Sequence, residues 1–210
     1  MNLRTLGNRY IQPSPGHETI VTRNATIADI VKSIILADGQ DHFSVARFAP
    51  FVRKGSDYET LRNVWQFTRK HIRYERDNKK DHLRQHVEAV KSPAAVWRDK
   101  TADCKGMSLI NGAILKHLGF CYTYRVAFYD PKQPNQGHIY PVVTLDNGRK
   151  VVVDSVSSEF DYEEPYWKAT DYSPEPSSCS VSGINGPIGR TNKHKVWIGL
   201  LVALFLITIE

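Results

Sequence analysis

The sequence predicts an α+β domain in which helices come first and an antiparallel sheet follows. Three observations carry this. Apolar residues recur at helical spacing behind capping residues near 26, 56 and 103. From 120 to 156 the chain is instead rich in aromatic and β-branched side chains, the composition of strands. Asp146-Asn147-Gly148 then divides that run into the two arms of a hairpin.

Residues 1–24 are polar, and Pro13 and Pro15 are set against any regular element, so they read as an extended arm. Thr26 is placed to cap a helix whose Ile27, Ile30, Val31 and Ile34 make one apolar stripe, with Asp38-Gly39 as its stop. A second helix opens on the capping box Ser56-Asp57-Tyr58-Glu59, and Leu61, Val64, Trp65, Thr68 and Ile72 continue its apolar face. Residues 73–91 are charged and weakly periodic, which reads as a loop or an exposed helical excursion. His82 and His86 lie four apart there without a third ligand near in sequence, so they read as solvated side chains and no metal is expected.

Ser92-Pro93-Ala94-Ala95-Val96-Trp97 opens a short further element. A helix with Cys104 in its first turn follows, buried through Met107, Ile110, Ala113, Ile114 and Leu118, and stopped at Gly119. Asp103 reads as its cap. Residues 120–129 form a strand, 131–137 a loop, and 138–145 with 150–156 the hairpin. A two-residue turn would put His138 and Asp154 on opposite faces. The three-residue loop Asp146-Asn147-Gly148, with a left-handed Gly148, pairs Leu145 with Arg149 and brings both to one face.

The 210 residues, 41% hydrophobic and 24% charged, suffice for one domain of about 150 residues with appendages. A disordered, collagenous or multi-pass membrane protein is excluded. The domain is expected over 25–169, followed by a flexible Ser/Pro/Gly linker over 170–195. At 196–209 stands VWIGLLVALFLITI, behind Lys193 and Lys195. As a helix it would span about 21 Å against a hydrocarbon core of about 30 Å. It reads as a short membrane anchor with the basic residues on the cytoplasmic side, the alternative being a docked core helix or a truncated span.

Three cysteines without a C-x-x-C pair make neither a disulfide framework nor a thiolate-rich zinc site, and the first residues lack a secretory apolar region. A reducing, cytoplasmic setting is expected. The net charge of +6 is unevenly spread: 62–105 holds twelve Lys/Arg against six Asp/Glu, while 154–175 holds seven acids against Lys168 alone. Without a phosphate-binding module, such blocks read as solvated or mutually paired faces, and no nucleic-acid partner is expected. Cys121 reads as a small core residue and Cys179 as an incidental exposed thiol.

A thiol becomes a useful nucleophile as thiolate, which the N–H groups and partial positive charge of a helix N-terminus stabilise. Cys104 has that position. An imidazole can move its proton and a carboxylate can orient the imidazole, and His138 and Asp154 stand at the ends of hairpin strands where both can reach the helix start. Taken singly, each also has an ordinary structural reading.

Taken together, in this order on helix, strand and strand, they resemble the Cys-His-Asp triad of the transglutaminase-like superfamily, related to papain-like cysteine peptidases. The resemblance runs from about Leu61 to Val156. It rests on Asp103-Cys104-Lys105-Gly106 with Leu118-Gly119-Phe120, on Phe67 to Tyr74, on His138-Ile139-Tyr140 and on Val152-Val153-Asp154. Ala102 replaces the family's usual glycine, and no tryptophan follows His138. The resemblance implies a papain-like core with Cys104 as nucleophile, His138 as general base and acid, and Asp154 as orienter. It further implies acyl transfer on a protein or peptide substrate through a thioester, without metal or organic cofactor. Hydrolysis, as in the bacterial and phage members, is preferred to transamidation. The Cys104 N–H is the first expected oxyanion donor and Trp97 the second. The competing expectation is a catalytically silent structural or docking module.

Overall fold

The computed structural model describes residues 2–13, 18–76 and 87–174. His82, His86, Cys179, the linker beyond 174 and the apolar segment 196–209 lie outside the described residues. The fold is α+β. Helices Leu3–Tyr10 (α1), Ile27–Asp41 (α2), Asp57–His71 (α3), Pro93–Asp99 (α4) and Cys104–His117 (α5) are joined by short strands. Cys121–Phe128 (β5), Gly137–Thr144 (β6), Lys150–Val152 (β7) and Lys168–Tyr172 (β8) build an antiparallel sheet in the order β7-β6-β5-β8. Two small ribbons lie apart from it: Thr19–Arg23 (β1) with Val87–Lys91 (β3), antiparallel, and Arg73–Tyr74 (β2) with Thr101–Ala102 (β4), parallel.

The caps work as the sequence predicts. Thr26 and Asp29 form a reciprocal capping box on α2, and Ser56 accepts from the Glu59 N–H on α3. Asp103 accepts from the Gly106 N–H at 3.1 Å and caps α5. At the other end of α5, Phe120 N–H reaches Leu115 O and Gly119 N–H reaches Lys116 O, with Gly119 at φ +80°, a Schellman stop. Every residue of α5 from Lys105 to Leu115 is buried. A helix buried on all sides is a central pillar, and α5 packs against α2, α3, α4 and β6.

Several expectations give way. The expected extended arm instead holds a helix over its described residues 3–10: Leu3, Leu6 and Tyr10 form one apolar face of α1, which Pro13 lies beyond and so does not break. Residues 19–23 and 87–91 are strands only because they pair with each other, a partnership no local pattern reveals. Gly39 does not stop α2, which continues to Asp41 because Asp38 is an anchor rather than a terminator. Fully buried, it accepts from the Tyr122 and Tyr124 hydroxyls at 2.6 and 2.7 Å and pairs with Lys116 at 3.2 Å. The sheet also runs past the expected boundary at 169, since β8 pairs with β5 and Asp171 receives a two-pronged contact from Arg125 at 2.6 and 2.7 Å.

Candidate active site

The three-residue hairpin loop is present. Leu145 N–H bonds Arg149 O at 2.9 Å, Gly148 N–H bonds Leu145 O at 2.8 Å, and Gly148 sits at φ +80°. Val142 therefore faces Val152, and the bond from Val153 N–H to Pro141 O carries the pairing past the ladder, leaving Asp154 opposite Tyr140. His138 and Asp154 consequently share a face one diagonal step apart. His138 Nε2 stands 2.7 Å from Asp154 Oδ2.

Asp154 is fixed from three sides. Its Oδ1 accepts from the Val156 N–H at 2.9 Å, and its backbone carbonyl accepts from the Trp65 indole at 2.9 Å. Cys104 lines the same cleft as His138 and interacts with its ring. Burial opposes the charged imidazole, but the hydrogen bonds to Asp154 and Cys104, and the charges behind them, outweigh it and hold His138 up at about 10. The ring is thereby kept as imidazolium at neutral pH.

Sequence reasoning missed how the three side chains are registered. Ser108 and Asn111, one turn apart on the buried face of α5, donate to the sheet. Ser108 Oγ bonds Ile139 O at 2.8 Å, and Asn111 Nδ2 bonds Ser155 Oγ at 2.7 Å and Val153 O at 3.2 Å. The helix that carries Cys104 thus holds the residues adjoining His138 and Asp154. Buried polar residues within an apolar helix face were the available signal.

Cys104 and His138 line a cleft of about 450 Å³ with Tyr74, Asp103, Ile30 and Ile139. Trp97, expected as an oxyanion donor, is elsewhere: it is 5% exposed and stacks on Phe67 at 5.1 Å, with Gly7 against its ring, and does not line the cleft. Tyr74, not Trp97, lines the cleft. Parallel pairing puts it beside Ala102, two residues before Cys104. Burial, then the charges of Cys104 and Asp103, push its pKa up, so it stays a donor.

The wall left open by the missing tryptophan is Tyr140, 5.3 Å from the His138 ring and donating to Glu163 at 2.7 Å. Beyond it His138 and Asp154 line a second cleft of about 640 Å³ with Tyr129, Tyr162 and Glu164. Cys121 is partly exposed at the start of β5 rather than enclosed in the core. Among the described residues no group of three His, Cys, Asp or Glu is arranged to hold a metal, and no helix is long and apolar enough to cross a membrane.

No family model matches the sequence, and no curated protein matches it. Among solved structures, the chain is similar to a candidate cysteine protease from Cytophaga hutchinsonii, at 11% identity and a TM-score of 0.38, covering 62% of this chain and 39% of that one. It is also similar to LapG of Legionella pneumophila. The calcium-bound form gives 19% identity and a TM-score of 0.40, with 65% of this chain and 76% of that one covered. The EGTA-treated form gives 20% identity at the same TM-score, with 65% and 75% covered.

Proposed function

We propose that this protein is a transglutaminase-like cysteine peptidase that cleaves a peptide or side-chain amide through a thioester on Cys104. The observation that carries this is the His138 ring held by Asp154 at 2.7 Å and interacting with Cys104, at the start of a capped helix. The Cys104 thiolate attacks the amide carbonyl carbon; the C–S bond forms, the C–N bond breaks, and His138 gives its proton to the leaving nitrogen. Water then attacks the thioester, His138 takes a proton from it, the acid departs and the thiolate returns. Asp154 holds the ring in line throughout.

Two donors serve the oxyanion. One is the Cys104 N–H, which as the first in its helix has no intrahelical acceptor. The other is the Tyr74 hydroxyl, in place of Trp97. The segment 196–209 tethers the catalytic unit to a membrane. A proteome-wide search for new protein N-termini and for amide crosslinks, comparing the wild type with Cys104→Ala, tests the activity. New N-termini dependent on Cys104 are expected. Crosslinks instead would make the reaction transamidation, and neither would end the catalytic reading.

A further inference from the structure

Capping α5 with a carboxylate sets a problem for a nucleophile at its first residue. Asp103 places a negative charge beside the sulfur that must itself become negative, and Glu88 on β3 adds another on the same cleft wall. Between the two carboxylates lies the ammonium of Lys105. Its Nζ is 2.6 Å from Glu88 Oε2 and also pairs with Asp103 Oδ2, while Asp103 Oδ1 serves the cap. All three side chains are nearly enclosed, at 8% exposure for Lys105, 14% for Glu88 and 10% for Asp103. A buried cation in such a place is costly unless its partners are charged. Burial alone would favour the neutral amine, yet Asp103 and Glu88, with Cys104 nearby, raise its pKa well above the ordinary lysine range.

We infer that Lys105 is a positioning residue for the nucleophile, its ammonium balancing Asp103 and Glu88 so that the Cys104 thiolate can form beside its own helix cap. This rests on the reading of Cys104 as the nucleophile. The other titratable groups on this cleft are His138 from β6, held by Asp154, Tyr74 and Arg76 from β2 and its continuation, and Tyr129 and Asp130 just past β5; of these, His138 and Tyr74 interact with Cys104.

The formal charge of the cluster gives a test that a mere clamp would not pass. Asp103, Lys105 and Glu88 together carry one negative charge. Lys105→Met leaves two, Glu88→Gln leaves none, and the double variant restores one. The rate of iodoacetamide alkylation at Cys104 is followed against pH on the full-length protein, with the modified peptide identified by mass. The acid limb should move up by about one pH unit in K105M and down by about half a unit or more in E88Q. It should return to within about 0.3 of the wild type in the double variant, and Lys105→Arg should stay near the wild type. Because E88Q is expected to gain thiolate at low pH, it tests the proposal even if K105M fails to fold. E88Q and K105M moving the limb in the same direction, or neither moving it, overturns the proposal. Cleavage measured in parallel separates the two readings: wild-type turnover without the charge-ordered shifts removes the role of Lys105 and leaves the peptidase. The shifts without turnover remove the peptidase and leave the role of Lys105.

Discussion

His138 Nε2 and Asp154 Oδ2 lie 2.7 Å apart across neighbouring strands, and the second oxygen of the same carboxylate is occupied by the Val156 N–H. The carboxylate therefore cannot rotate away without losing a backbone partner. With Nε2 turned to Asp154, the same ring interacts with Cys104 across the cleft they share.

Asp154→Asn should retain part of the activity, because an amide can still orient the ring, but its pH profile should change. In the wild type His138 stays protonated up to about 10, so the alkaline limb of kcat/KM belongs near there. Removing the Asp154 charge withdraws one of the supports that raise it, and the limb should move to lower pH. An alkaline limb that does not move in Asp154→Asn would show that Asp154 does not support the imidazolium.

Tyr74→Phe should lower kcat by about 10²-fold if its hydroxyl donates to the oxyanion, since one such donor is worth about 10²–10³. Alkylation of Cys104 forms no oxyanion and should proceed at close to the wild-type rate. Equal turnover in the two proteins would remove Tyr74 from the reaction.

Asp38→Ala deletes the acceptor shared by two buried tyrosine hydroxyls and the partner of Lys116. Unfolding by denaturant should show a loss of about 3 kcal/mol, the usual scale for stripping a buried charged acceptor from its donors. A loss under about 1 kcal/mol would mean that the cluster does not join α2 to the sheet energetically.

Deleting residues 193–210 should release the protein from membranes into the soluble fraction while cleavage of a soluble substrate persists. Equal partitioning with and without the segment would dispose of the anchor.

What the sequence disclosed was local in cause. Thr26, Ser56 and Asp103 announce helix starts because a side-chain acceptor at the cap satisfies free N–H groups two or three residues on. Gly148 announces the hairpin register because the loop needs a left-handed residue there, and the register alone puts His138 and Asp154 on one face. What it concealed depends on distant partners. β1 and β3 exist through each other across more than sixty residues, and β8 exists because β5 offers it an edge. Trp97 does not reach the cleft because Phe67, thirty residues earlier, stacks it into the core, a contact no local pattern reveals. Tyr74 went unnoticed because a two-residue parallel pairing, too short for any periodicity, brings it beside the helix start.

The most direct measurement is the rate of iodoacetamide modification at Cys104, Cys121 and Cys179 at pH 6, in the wild type and in His138→Ala. A thiolate held against an imidazolium should make Cys104 react faster than the other two by at least about tenfold, and His138→Ala should abolish that advantage while leaving the other two unchanged. Cys104 reacting no faster than Cys121 at that pH, or indifferent to the loss of His138, would contradict the assignment of Cys104, His138 and Asp154 as a catalytic set.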